Sequence, residues 1–240
     1  TINIPLQFKA VNWFSVYKLH QRCVESFAVN RCFLAGDAAH IHSPAGGQGM
    51  NTGMQDAFNL AWKLALVIEG NASPALLDSY SPERSAVGDR VLRNAGRLTE
   101  VAMLRNPVLQ GVRNTVARFA TGFPFVQHKI ANQLTEMDIG YPESPLTVHD
   151  GDAGPGPKAG ERWPERLPAG AGGMKFVAAG PGDVTTALAA KYPQLVVVAN
   201  AQGSHAAGLR LTLRDGYVGY AGAAKDPLHA EAYLSTIAAN

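Results

Sequence analysis

The chain has 240 residues, 46% of them hydrophobic and 17% charged, with a net charge of +2. That composition builds a core in one large or two small domains and excludes disordered and fibrous classes. The near-neutral balance, with its basic residues spread out, speaks against nucleic acid or an anionic membrane surface as partner.

Thr1-Ile2-Asn3-Ile4-Pro5 lacks an initiator Met and reads as mid-strand, so the chain is expected to be a piece of a longer one. Residues 1–30 read as strand-like, with Phe14, Val16, Leu19, Val24 and Phe27 set among polar neighbours. Cys32-Phe33-Leu34-Ala35 is a compact apolar run ending at Gly36-Asp37, the pattern of a buried parallel strand with chemistry at its carboxyl end. Cys23 and Cys32 form neither a CxxC nor a disulfide framework, which predicts buried free thiols, a reducing compartment and a cytoplasmic location. The apolar stretch Leu60 to Ile68 is too short to span a bilayer and is interrupted by Lys63.

A glycine-rich loop, Pro44-Ala45-Gly46-Gly47-Gln48-Gly49, precedes a helix predicted over about 52–69. Its apolar residues Ala57, Leu60, Ala61, Leu64, Ala65 and Ile68 recur at helical spacing, and Gly70-Asn71 stops it. Trp62, Leu64 and Leu66 are expected in the core. Ser73-Pro74 and Ser81-Pro82 each read as an N-cap followed by a first-turn proline. The second opens a long helix to about Leu104, and one or two further helices occupy about 107–137. The glycines and prolines of 140–170 mark a linker or an irregular wrap. A small α/β pattern follows: a strand at 174–178, a helix at 183–190, a strand at 195–199, a hairpin around Asp215-Gly216 and a final helix at 227–237.

The chemistry concentrates in Arg31 to Asn51, which reads as strand, acid, glycine loop and helix. Asp37 is placed to accept bonds from ribose or ribityl hydroxyls. Gly46, Gly47 and Gly49 carry no Cβ, so a flat ligand can approach the backbone. The helix start near Asn51 or Thr52 aims free N–H groups and a positive dipole end at that ligand. Spacing alone therefore leaves two readings: a nucleotide or anionic-ring site, or a glycine-rich connector with Asp37 as a satisfied cap.

The string Gly36-Asp37-Ala38-Ala39-His40-Ile41-His42-Ser43-Pro44-Ala45-Gly46-Gly47-Gln48-Gly49-Met50-Asn51 resembles the second flavin motif of class A flavoprotein monooxygenases, the phenol and p-hydroxybenzoate hydroxylase group. The resemblance continues through Gln55-Asp56-Ala57-Phe58-Asn59-Leu60-Ala61-Trp62-Lys63-Leu64, Leu77-Asp78-Ser79-Tyr80 and Glu83-Arg84, and upstream through Ser15-Val16-Tyr17-Lys18 and Gln21-Arg22. It implies an α/β chain: the C-terminal part of a p-hydroxybenzoate hydroxylase-like FAD-binding fold over 1–140, then a linker and a small thioredoxin-like domain over 141–240. The tail lacks a CxxC, so a structural or dimer-forming role is expected of it rather than a redox one.

Carried over by position, the resemblance implies that Asp37 bonds the ribityl or ribose part of FAD. Gly47, Gln48, Gly49, Met50 and Asn51 would supply backbone contacts to the pyrimidine edge, and Tyr17 a further flavin contact. Pro44, beside the ring where oxygen reacts, is the catalytic candidate. The family reaction spends NADPH or NADH and O2, and a flavin C4a-hydroperoxide passes one hydroxyl to a phenolic ring. Aromatic substrate, O2, FAD and NAD(P)H are thus the expected partners, with nucleic acid and membrane not among them and a homodimer left open.

His40-x-His42 lacks further ligands for a metal, and hydrogen bonding to the loop is the expected role of this His. Ser204-His205 has no elbow motif around it. Arg84 is expected in an ordinary surface ion pair or cap. The family's opening GxGxxG is absent from these residues, and about 250–300 further residues are expected upstream. Two alternatives stay open: a non-catalytic association module, and a related flavin halogenase or epoxidase.

Overall fold

The computed structural model describes residues 9–16, 18, 20–44, 47–164, 175–199, 208–223 and 227–239. Of the strand-like region expected over 1–30, the described residues hold only β1 (Arg22–Cys23) and β2 (Ala28–Val29). The run at Cys32 is not the buried parallel strand its composition suggests. It is the short β3 (Cys32–Phe33), antiparallel to β2. Asn30, at φ 55°, takes the left-handed conformation that closes the turn between them, one that Asn tolerates better than most residues. The hairpin lies at the surface, so Cys32 is exposed, and Cys23 in β1 is half-buried, contrary to the expected burial of both. The chain then turns through a 3₁₀ segment, Gly36–Ala38, into β4 (His40–Ile41), which pairs antiparallel with β1.

Helix α1 (Gly49–Ile68) begins three residues before the expected start and ends at Gly70, whose φ of 71° is the left-handed stop the sequence promised. Its buried face is not the apolar stripe. Ala57, Ala61 and Ile68 are exposed and Leu60, Leu64 and Ala65 only half-buried, whereas Thr52, Asp56, Asn59, Trp62, Lys63 and Leu66 are buried. Ser73 caps the 3₁₀ turn Pro74–Ser79 as expected. Ser81 does not repeat the device: α2 (Tyr80–Ala102) starts before it, and the Ser81 hydroxyl accepts a 2.9 Å bond from Phe27 N. Two helices follow, α3 (Pro107–Ala120) and α4 (Pro124–Leu134), neither with a buried residue.

Residues 140–164 wrap onto the body, with Gly160 N bonded to Val218 O and Trp163 N to Gly216 O. Within this wrap lies β5 (Val148–Asp150). The remaining elements are β6 (Phe176–Ala179), α5 (Gly182–Lys191), β7 (Val196–Val198), β8 (Gly208–Thr212), β9 (Val218–Ala223) and α6 (Pro227–Ile237). They form a five-stranded mixed sheet in the order β5-β9-β8-β6-β7. β6 and β7 run parallel across α5, and β8 and β9 form the antiparallel hairpin predicted at Asp215-Gly216. Ser204-His205 lies outside the described residues.

One core joins the sheet to the helices. Trp62 and Leu66 of α1 pack with Phe176, Leu209, Tyr220 and Leu234, and the Trp62 and Phe176 rings meet edge-on at 5.9 Å. Trp62 and Phe176 are both fully buried, and burial of such a side chain contributes roughly 2–3 kcal/mol of transfer free energy. Leu64, expected in that core, lies outside it. Among the described residues no helix is long and apolar enough to cross a membrane.

Candidate functional site

The turn Gly36–Ala38 packs against α1, and Gly47 and Gln48 lead the chain into that helix. Gly36 sits at φ 58°, and a Cβ built on Gly53 would stand 3.3 Å from its Cα, so the turn rides directly on the first turns of α1. Asp37 projects from this turn, exposed, with no hydrogen-bond partner among the described residues. That is a carboxylate left open to a ligand rather than a satisfied cap.

Before the helix, Pro44 and Gly47 are exposed, and Gly47 (φ 64°) has open space where a Cβ would be. Gln48 is the N-cap of α1 but gives it no side-chain cap; instead its Nε2 donates to Gln133 O at 2.6 Å. The N–H groups of Gly49, Met50 and Asn51 are therefore free of protein partners among the described residues, and the positive end of the helix is uncovered. Met50 is 74% exposed, which fits a residue bordering a ligand. Gly49 lies against the His42 ring, where a Cβ would come within 3.2 Å of Nε2. His42 stacks on His40, which stacks on Phe27, forming a column of rings under the helix start. An exposed carboxylate, a backbone without Cβ atoms and free N–H groups at a positive helix end fit a flat ring with an anionic edge and a polyol chain. Tyr17 lies outside the described residues, as do Ala45 and Gly46 of the loop.

Beneath the start of α1 is a buried polar network that no apolar periodicity in the sequence announced. Arg84 is not a surface residue: its side chain is wholly buried, and it donates from Nε to Asp56 Oδ1 at 2.6 Å, from Nη1 to Tyr141 Oη at 2.8 Å and from Nη2 to Thr52 O at 3.1 Å. His40 bonds not the loop but helix α1, from Nε2 to Asp56 Oδ2 at 2.8 Å. His42 does bond the loop, through Nδ1 and Ser43 O. Burial raises the Asp56 carboxyl's pKa, but the His40 bond, the Arg84 charge and the Gly36 N–H together hold it below the usual carboxylate range. Lys63 and Glu83 form a second buried pair at 2.6 Å, with burial drawing the ammonium's pKa down. Thr52 donates to Glu136 Oε1 at 2.6 Å, and burial pushes the Glu136 carboxyl's pKa up. The available signal was the spacing 52, 56, 59, 63, 66, a continuous helical face carrying Thr, Asp, Asn, Lys and Leu. Among the described residues no cluster of three or more His, Cys, Asp or Glu could hold a metal.

Residues 3–95 match the FAD binding domain family. The chain is 43% identical over 163 residues to 6-methylpretetramide 4-monooxygenase of Streptomyces rimosus, covering 63% of this chain and 28% of that enzyme. It is 37% identical over 153 residues to pentachlorophenol 4-monooxygenase of Sphingobium chlorophenolicum, covering 64% of this chain and 27% of that enzyme. Among solved structures it resembles the OxyS anhydrotetracycline hydroxylase from Streptomyces rimosus, with a TM-score of 0.69 and 29% identity over 92% of this chain and 47% of the other. It likewise resembles BexE, studied for oxidation during BE-7585A biosynthesis, with a TM-score of 0.66 and 31% identity over 89% of this chain and 46% of the other. The chain thus spans just over a quarter of these curated relatives and just under half of these solved chains. By sequence over residues 3–95 it matches the FAD binding domain family, and by sequence and fold it is similar to part of these aromatic monooxygenases and hydroxylases.

Proposed function

We propose that this chain forms one wall of the flavin site of an enzyme that hydroxylates a phenolic or polycyclic aromatic substrate with FAD, NAD(P)H and O2. The observation that carries this reading is the start of α1: among the described residues the N–H groups of Gly49, Met50 and Asn51 have no partner, and the exposed Asp37, also without one, stands on the turn that packs against the same helix at Gly53. FAD, when bound, supplies the redox chemistry. The chain's own part would be to hold it: Asp37 would accept from ribityl or ribose hydroxyls, and the backbone from Gly47 to Asn51 would line the pyrimidine edge, with the N–H groups of Gly49, Met50 and Asn51 as its donors. Negative charge there on reduction is stabilised by the helix end. Pro44, exposed before the helix, would border the reacting face and, having no N–H, would add no donor to it. Tyr17 is carried in this reading as a further flavin contact.

The expected division near residue 140 and a thioredoxin-like tail are part of the same proposal, supported by the β6-α5-β7 unit followed by the β8–β9 hairpin and α6. The free Cys23 and Cys32 support a reducing, cytoplasmic setting. The exposed Val108, Val112, Val116 and Phe119 of α3 are compatible with a homodimer.

Titration of FAD into the full-length protein, followed by flavin fluorescence, tests the reading. The expected result is a yellow complex whose NAD(P)H oxidation a phenol accelerates, with Asp37→Ala weakening FAD binding at least tenfold. A colourless protein whose melting temperature ignores FAD would support the association-module alternative instead. Chlorinated or epoxidised product would point to the halogenase or epoxidase alternative.

A further inference from the structure

Asp56 is buried beneath the candidate site, and three segments converge on its carboxylate. Oδ2 accepts from Gly36 N at 2.9 Å and from His40 Nε2 at 2.8 Å, and Oδ1 accepts from Arg84 Nε at 2.6 Å. The first of these donors is the backbone of the residue just before Asp37. The third belongs to a side chain that also grips the backbone of α1 at Thr52 O, one turn before Asp56 itself. The carboxylate is thus clamped to its own helix on one oxygen and holds the Gly36 turn with the other. The side chain is wholly buried, so water does not compete for these bonds. The Gly36–Gly53 approach supplies the contact surface, and Asp56 supplies the tether.

We infer that Asp56 is the positioning residue of the candidate flavin site: it registers the Gly36–Asp37 turn against the first turns of α1 and so sets where Asp37 stands relative to the helix start. The inference rests on the flavin reading above. An Asn at this position is nearly isosteric, but its NH2 meets either Arg84 or the Gly36 and His40 donors, donor against donor. A Glu carries the charge but reaches one methylene further.

The test uses hydrogen–deuterium exchange of the full-length protein without FAD, read at the peptide containing Gly36 and at peptides from β8 and β9. In Asp56→Asn the Gly36 segment is expected to exchange at least tenfold faster while β8 and β9 keep their protection. Exchange at Gly36 within twofold of wild type overturns the inference. Should Asp56→Asn not fold, Arg84→Lys is read at the same peptides. That variant keeps the charge but loses the fork; selective loosening at Gly36 supports the tether, and no change, or equal loosening of β8 and β9, overturns it. FAD titration supplies the second readout: the dissociation constant rises at least tenfold in Asp56→Asn and partly recovers in Asp56→Glu, whereas an unchanged constant overturns the positioning role. A wild-type protein that binds no FAD sinks the flavin reading alone, and the exchange result still decides whether Asp56 holds the turn.

Discussion

Asn59 of α1 donates a 2.8 Å hydrogen bond to Asp215, which stands in the β8–β9 turn 156 residues further along the chain. The same amide donates to Glu83 Oε2 at 2.8 Å, so one side chain ties the sheet's hairpin to both central helices. Tyr217, just past the turn, packs against Tyr141 at 4.2 Å between ring centroids, and Tyr141 receives the Arg84 guanidinium. The polar network under the start of α1 therefore ends in the sheet domain.

Burial, and after it the neighbouring Glu83, raises the Asp215 carboxyl from 3.8 to about 6. An acid with a raised folded pKa gives its full stabilisation below the unfolded pKa and loses it as pH rises through the folded one. The wild type should therefore lose about 3 kcal/mol of stability relative to Asp215→Asn as the pH rises from about 4 to above 6. Thermal melts of the two proteins at several pH values check this. A gap between them that does not vary with pH contradicts it.

Lys63 and Glu83 are both wholly buried, and each charge is tolerable there because of the other. Lys63→Met should destabilise by about 3–5 kcal/mol, since it leaves an uncompensated carboxylate in the interior. Adding Glu83→Gln should recover a large part of that loss. Chemical denaturation of the two single variants and the double variant gives the coupling; strictly additive losses would mean the pair is not held as a unit.

Trp62 carries α1 into the core of the sheet. Trp62→Ala should cost about 3–5 kcal/mol, and helices and sheet should still melt in one transition because they share that core. Two separated transitions in calorimetry would show instead that the sheet folds independently of α1.

The local signals were legible where backbone chemistry dictates the outcome. Gly70, Asp215-Gly216 and Ser73 ended or turned their segments as expected, because left-handed φ values and caps are set by one or two residues. The orientation of α1 was not legible. Its apolar stripe through Ala57, Ala61 and Ile68 implied one buried face, whereas the buried face carries Thr52, Asp56, Asn59 and Lys63. Ion pairing with α2 made that polar face buriable, and the partners Glu83 and Arg84 lie 20 and 28 residues away from Lys63 and Asp56. Pairing over such distances leaves no periodic mark in the sequence. For the same reason Arg84 read as an ordinary surface cation. At Cys32 the apolar run suggested a buried strand, and a single left-handed Asn30 turned it into a surface hairpin.

Gly53 offers a steric probe of the candidate site that leaves every charge in place. A Cβ there would stand 3.3 Å from the Gly36 Cα, a backbone atom that cannot move aside without moving the turn. Gly53→Val adds branches to that Cβ and should push the Gly36–Asp37 turn off α1. FAD binding should weaken about tenfold, or about 1.4 kcal/mol, with a small fall in melting temperature from the strain. Gly70→Ala, past the far end of α1, serves as the contrast, since it meets open space at φ 71°, so its cost is conformational strain of about 1 kcal/mol. Flavin fluorescence titrations of both variants decide the matter. If Gly53→Val binds FAD as tightly as the wild type, the distance between the Gly36 turn and α1 does not control the cofactor.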